Sequence, residues 1–297
     1  MTTAVLTAFT LIAFAANSLL TRLALGRELI DPVSFTALRL GSGALALLPL
    51  SLLISENPTT PRGNKGSWGS AMALFTYAAA FSLAYISLSA GSGALILFGA
   101  VQVTMITAAL RSGERLRPAQ WIGGGVAVGG LVYLLAPGAS APNLAGGLLM
   151  CAAGIAWGVY SIRGQGVTAP ISMTAGNFIR AVPFALFSGV FVWSSLRLET
   201  TGILLALASG IVTSGLGYIL WYRVLRDLTT VQASLVQLLV PVLAAFGGVI
   251  LLSEQVTFRL ALASVLILGG VALAVIKTKS REHAGQESSS SESTEPA

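Results

Sequence analysis

Residues 114–130 read ERLRPAQWIGGGVAVGG, and residues 254–270 read EQVTFRLALASVLILGG. Each stretch opens on a Glu before an apolar run and reaches a Gly-Gly pair fifteen residues later, at Gly129-Gly130 and Gly269-Gly270. The offset between the two is 140 for both features. Gly, Ala and Leu saturate this chain, so one such match carries little weight and the order of several carries more. Ser34-x-Thr36-Ala37 matches Ser172-x-Thr174-Ala175 at an offset of 138, and Arg39 pairs with Arg180 at 141. Tyr77 and Phe81 fall opposite Tyr218 and Tyr222, also at 141, and Phe14-Ala15 resembles Trp157-Gly158. A constant order at a nearly constant spacing reads as an internal duplication.

Composition places that duplication in lipid. The 297 residues are 55% hydrophobic and 9% charged, with a mean hydropathy of +0.82. A soluble domain is about 25% charged. The apolar runs are continuous rather than alternating, which argues for helices and against a barrel. They give spans at 3–20, 33–54, 69–88, 92–110, 119–136, 144–161, 171–193, 203–221, 230–252 and 260–276. The expected fold is an all-α membrane protein, with ten transmembrane helices as two five-helix inverted-topology repeats around a central cavity. An odd number of spans per half forces the second half to enter the membrane from the opposite side, an arrangement that many secondary transporters use. The units are 1–136, 143–277, and a Ser/Glu-rich tail, 278–297, whose composition is that of a disordered segment.

Basic residues set the orientation. Even-numbered loops and the tail hold eleven Lys and Arg, and odd-numbered loops hold four. Even loops and both termini are therefore expected in the cytoplasm, at the bacterial inner membrane. The same residues account for the pI of 9.9, so it is no sign of nucleic-acid binding. Ala13-Phe14-Ala15 resembles a leader cleavage site, but no Lys or Arg precedes the apolar stretch, and the segment reads as the first helix.

Beside transport stand two lesser alternatives, a channel, since one chain can supply a pore-lining ring, and an intramembrane enzyme, the weakest reading. The single His283 lies in the tail, no span contains Asp or Glu, and Cys151 is the only cysteine. No Ser-His or Cys-His pair, paired carboxylate or buried metal site can assemble within the spans. No cofactor is expected. Proton-driven carriers commonly relay protons through membrane Asp, Glu or His, so the missing acids point to downhill transport or to coupling without a buried acid.

Aromatic and neutral polar side chains remain. Tyr77, Phe81 and Tyr85 share one face of the third span, and Gly154, Trp157, Gly158 and Ser161 share one side of the sixth. Tyr218, Trp221 and Tyr222 end the eighth span, while Phe98, Gln102 and Gln237 lie on the fourth and ninth. Aromatic walls with a few hydrogen-bonding groups suit a zwitterion with an apolar side chain. Bland readings stand beside this one. Tyr222 and Trp193 have the placement of interfacial anchors, and Gly154-x-x-x-Gly158 that of a helix-packing motif. Tyr77 and Trp157 fit a cavity wall or a core. Arg39 lies about six residues into its span, roughly 9 Å, within reach of snorkelling. Arg180 lies about ten residues in, near 15 Å, where it must face protein or water. Asn177, one turn earlier, is placed to hydrogen-bond Arg180, which has two readings, a grip on a substrate carboxylate or a helix-junction role.

The two Glu-to-Gly-Gly segments, Trp157-Gly158, Val240-Pro241-Val242 and Leu252-Ser253-Glu254 together resemble the drug/metabolite transporter superfamily, and within it the EamA-type ten-helix permeases. Thr76-Tyr77 and Ala156-Trp157 are similar to segments of its bacterial aromatic amino-acid exporters. The resemblance covers about residues 3–277 and departs from the pattern at Phe14-Ala15 and Ala100-Val101. It implies export of a small molecule, amino acids foremost, with other metabolites as the alternative. The expected substrate-binding residues are Tyr77, Phe81, Tyr85, Phe98, Gln102, Trp157, Ser161, Asn177, Arg180, Tyr218 and Gln237. The expected partners are that small-molecule substrate and the lipid bilayer, with no nucleic acid, and the monomer as the working unit.

Overall fold

The structure is a computed structural model that describes residues 2–54, 65–112, 118–138, 141–189 and 196–276. Among the described residues the chain forms ten apolar helices. They are α1 (Thr3–Gly26), α2 (Pro32–Leu53), α3 (Trp68–Tyr85), α4 (Ala90–Arg111), α5 (Pro118–Leu135), α6 (Leu144–Arg163) and α7 (Pro170–Gly189). Then come α8 (Thr200–Val224), α9 in two pieces (Thr230–Val236 and Leu239–Leu252) and α10 (Phe258–Ile276). Glu114, Trp193 and the tail 278–297 lie outside the described residues.

Local chemistry starts and bends these helices. Asp31 accepts hydrogen bonds from the Val33 and Ser34 amides at 3.1 and 2.8 Å, just before Pro32, so a cap and a first-turn proline open α2. Ser67, Ser89 and Asn143 cap α3, α4 and α6 in the same way, and Thr229 with Gln232 forms a capping box on α9. Pro241 has no amide proton for the Gln237 carbonyl. Val240 N reaches that carbonyl instead at 3.0 Å, and α9 breaks there. Within α8, residues Ser209–Leu216 wind as a π-helix, a wider turn that turns its side chains toward α1 and α2.

The helix pairings obey the duplication. α3 packs on α6 as α8 packs on α1, and α4 packs on α6 as α9 packs on α1. α2 with α7, α4 with α9, and α5 with α10 pair across the two halves. Exchanging α1–α5 with α6–α10 carries each pairing onto another or onto itself. The Gly-Gly segments meet in the last of these pairs. A Cβ on Gly130 would lie 2.8 Å from the Leu266 side chain, and one on Gly270 would lie 2.6 Å from the Gly123 carbonyl, so α5 and α10 touch backbone to side chain at Gly130 and backbone to backbone at Gly270.

Loops gather alternately at two faces. On the odd-loop face Ile30 and Leu198 form an isolated antiparallel bridge, and Arg22 pairs with Glu254 at 3.1 Å. That pairing explains why α1 runs to Gly26 rather than ending at Arg22. The guanidinium is neutralised and also donates to the Tyr85 and Ile86 carbonyls, both at 3.1 Å. On the even-loop face Thr3 bonds Asp227 and Arg163 bonds Ser67.

Large apolar side chains cover the outside, among them Leu53, Phe187, Phe246 and Val265, each exposed by two-thirds or more. Water does not tolerate such a surface, and lipid does. Among the described residues six helices are long and apolar enough by themselves to cross a membrane. α3 is not among them, because Trp, Tyr, Ser and Gly lower its hydropathy. Eleven of its eighteen residues are buried, so it faces protein rather than lipid.

Candidate functional site

The middle of the bundle, where the sequence places a cavity, is occupied by rings in this conformation. Phe14 of α1 meets Trp157 of α6 with ring centroids 5.2 Å apart, and Tyr77 of α3 meets Tyr218 of α8 at 6.4 Å. Both are pairs of repeat-equivalent residues. Trp157 lies 5.0 Å from Tyr77 and 4.7 Å from Tyr218, which closes the four rings into one cluster. Tyr160, Phe178 and Trp221 extend it, and Phe81 leads from Tyr77 to Tyr85 at spacings of 5.2 and 4.7 Å. Helical spacing of four residues puts Tyr77, Phe81 and Tyr85 on one face of α3, as their periodicity implies.

Arg39 lies at the heart of this cluster and is completely buried. Its Nε donates to Ser214 Oγ at 2.8 Å, and its Nη2 donates to the hydroxyls of Tyr77 at 3.1 Å and Tyr218 at 2.7 Å. The guanidinium carbon lies 5.1 Å from the Tyr77 ring centre and 5.3 Å from that of Phe81, within cation–π range. Nη1 has no hydrogen-bond partner, and among the described residues no carboxylate pairs with this cation. Asn17 extends the network. Its Oδ1 accepts from Ser209 at 2.6 Å and Thr213 at 3.0 Å, and its Nδ2 donates to Tyr77 at 3.3 Å. The π-helical turn of α8 thus supplies Ser209, Thr213 and Ser214 together, which places a widened turn at the polar centre of the molecule.

Snorkelling is therefore not the state of Arg39. Depth along its own helix allows the head to reach an interface, but the side chain points inward, where Ser214, Tyr77 and Tyr218 hold it. Arg180 behaves in the opposite way. It is half-buried and donates to the Lys65 carbonyl at 2.7 Å and to Gly176 at 2.9 Å, clasping the segment before α3. Asn177 does not bond Arg180. It accepts from the Ser67 amide at 3.0 Å and donates to Tyr222 at 3.5 Å. The pairing of Arg39 with Arg180 in the repeat also shifts. Pro32 and Pro170 both open their helices, and Thr36 and Thr174, four residues on, both bond those prolines' carbonyls at 2.7 Å. At that offset of 138 the counterpart of Arg39 is Asn177. Tyr222, read as an interfacial anchor, is fully buried and stacks on Tyr160 at 5.2 Å.

The remaining candidates flank the cluster. Trp157 Nε1 donates to Gln237 Oε1 at 2.8 Å, and Gln237 donates in turn to the Ala233 carbonyl. Gln102 donates to the Ser234 carbonyl while its Oε1 is unpartnered, and Phe98 is buried on the same helix. Ser161 accepts from Trp221 Nε1 at 3.0 Å. Gly154 and Gly158 abut Leu97, Ala100 and Thr104 of α4, a close helix contact rather than an open wall. Arg39, Asn17, Ser214, Phe14, Tyr160 and Phe178 belong to the centre but not to the set that the sequence singles out. A lone Asn among the apolar residues of α1 was the available signal for Asn17.

At the even-loop face a cavity of about 560 Å³ opens between α1, α7 and the end of α8, lined by Thr3, Leu6, Pro170, Arg223, Arg226 and Asp227 among others. Among the described residues no three His, Cys, Asp or Glu side chains stand together as a metal site would require.

Two five-helix repeats meeting at a polar and aromatic centre, inside an apolar shell, define a membrane transporter of the inverted-repeat class. The model of the EamA-like transporter family matches residues 1–136 and again 144–276, and the chain belongs to that family. A Pseudomonas aeruginosa protein, "Uncharacterized protein PA1977", is 52% identical over 271 residues, covering 91% of this chain and 93% of its own. An Escherichia coli (strain K12) protein bearing the name "Probable amino-acid metabolite efflux pump" is 24% identical over 272 residues, covering 86% and 90%. A solved structure, "Crystal structure of protein", superposes with a TM-score of 0.63 at 23% identity, over 93% of this chain and 98% of that one. That last likeness is one of fold.

Proposed function

We propose that this EamA-type transporter exports small amphipathic metabolites across the bacterial inner membrane by alternating access, with aromatic and other apolar amino acids as its first substrates. One observation carries the reading: repeat-equivalent rings of the two halves, Phe14 with Trp157 and Tyr77 with Tyr218, meet at the middle of the bundle around polar groups. A binding site at the repeat interface is reached from either side when the halves rock against each other. Aromatic faces beside hydroxyl and amide groups suit a ligand with one apolar and one polar end. The names of the Escherichia coli relative and of a Salmonella typhimurium one, 26% identical over 252 residues, point the same way. Even loops face the cytoplasm, the lipid bilayer is the chain's medium, the monomer is the working unit, and no nucleic acid is involved.

The test is counterflow into liposomes that carry the pure protein, each batch preloaded with the unlabelled form of the compound tested. Labelled phenylalanine and leucine should accumulate transiently, whereas labelled glucose and uracil should not. Counterflow confined to the sugar or the nucleobase would move the protein to another substrate class.

A further inference from the structure

Arg39 is a buried cation with no anion beside it among the described residues. An Arg guanidinium offers five N–H donors in a rigid fork and keeps its charge at any physiological pH. Here Nε and Nη2 serve Ser214, Tyr77 and Tyr218, while Nη1 has no partner. Those partners are neutral hydroxyls and ring faces. Every acid among the described residues is engaged elsewhere. Glu28 and Glu199 pair with Arg197, Glu254 pairs with Arg22, Asp31 caps α2, and Asp227 receives Thr3. Removing a charge from water without a counter-charge is costly, and such a charge inside a membrane protein marks a site that a ligand completes.

We propose that Arg39 takes the carboxylate of the substrate on Nη1, and that the ligand class of this site is apolar monocarboxylates, of which amino acids are one kind. This rests on the aromatic centre being the substrate site. The pairing suits Arg, whose fork matches a carboxylate. Its second half follows from what is missing. Among the described residues those around Arg39 include no acid, so the ammonium of an amino acid finds only neutral hydroxyl and amide groups and ring faces. The carboxylate is therefore required and the ammonium is dispensable. An aryl or alkyl acid without the amino group satisfies the site as well as the amino acid does.

Binding to the purified full-length protein tests this, since an uncharged acid crosses bilayers unaided and blurs flux. The ligands are phenylalanine, 3-phenylpropionate, its neutral isostere 3-phenylpropanamide, and 2-phenylethylamine. The expected result is that 3-phenylpropionate binds within about tenfold of phenylalanine and at least tenfold tighter than the amide or the amine. Arg39→Gln should bring the acid down to the level of the amide, and Arg39→Lys should keep part of the preference. An amide that binds wild type as tightly as the acid overturns the role of Arg39 and leaves the aromatic site standing. So does a full acid preference in Arg39→Gln. If none of the four binds, the aromatic site itself falls, and this inference falls with it. The wild-type series decides the matter even where a variant does not fold.

Discussion

Tyr77 of α3 and Tyr218 of α8 occupy the same position in the two halves, and their hydroxyls accept from one nitrogen of Arg39, at 3.1 and 2.7 Å. The approximate twofold of the fold therefore passes close to a single cation. Its counterpart position carries Asn177, so the two halves supply the same tyrosine twice but the charge only once. A pair of related arginines would repel across the axis at this depth, whereas one Arg between two phenols is held by both halves. The asymmetry gives the centre of a symmetric fold one polar end.

Removing one of those phenols leaves a buried N–H of a charged group unsatisfied, at a cost of about 1–3 kcal/mol. Tyr218→Phe is expected to lower the thermal stability of the purified protein by that order. Ser51→Ala, which deletes only a hydroxyl bonded to its own helix at Leu48, should change it by less than about 0.5 kcal/mol. Equal melting shifts would mean that Arg39 is not held where the structure places it.

Neighbouring glycines of α10 make opposite predictions. A Cβ on Gly270 meets the Gly123 carbonyl at 2.6 Å and the Ala127 amide at 2.8 Å, while one on Gly269 meets nothing within 4 Å. Gly270→Ala should cost about 1–3 kcal/mol through overpacking, with a fall in folded yield. Gly269→Ala should be neutral or stabilise by up to about 1 kcal/mol, because Ala is the better helix former. Yield and melting temperature of the two variants in detergent check this. A reversed order would show that α5 and α10 meet through other faces.

Orientation is tested with single cysteines in a Cys151→Ala background. Ser112 ends α4 at the even-loop face and Ser87 follows α3 at the odd-loop face, and both are exposed. An impermeant thiol reagent on intact cells should label Ser87→Cys and spare Ser112→Cys until the cells are opened. The opposite pattern would turn the protein over and reverse the reading of its basic loops.

Energetics follows from the absence of Asp and Glu from the spans. Downhill flux of an accepted amino acid in proteoliposomes should persist when the pH gradient is collapsed with an ionophore. Loss of most of the flux would point to a titrating group at a helix end, with Glu254 the first to replace by Gln, because it sits between Arg22 and the start of α4.

The helices were legible because apolar runs of membrane length have few alternatives, and the two Gly-Gly segments fixed their grouping. The centre was legible only in part. Tyr77, Phe81, Trp157 and Tyr218 show themselves through helical spacing and repeat position, which depend on one helix at a time. Arg39 and Arg180 did not, since residues from a helix end measure depth but not direction. Direction is set by α8 and by the segment before α3, which lie far away in sequence. The match of Arg39 with Arg180 at 141 was also persuasive for the wrong reason. Each helix pair carries its own offset, and the paired prolines of α2 and α7 give 138 rather than 141.

The central claim is that substrate sits among the repeat-related rings, and photo-crosslinking tests it most directly. A diazirine-bearing phenylalanine, irradiated on the pure protein and mapped by mass spectrometry, should attach to α3, α6 and α8 at Tyr77, Trp157 or Tyr218 and their immediate neighbours. Excess phenylalanine should suppress the signal. Adducts confined to Leu6, Pro170 or Arg223 around the even-loop cavity, or to lipid-facing Phe187 and Phe246, would contradict it.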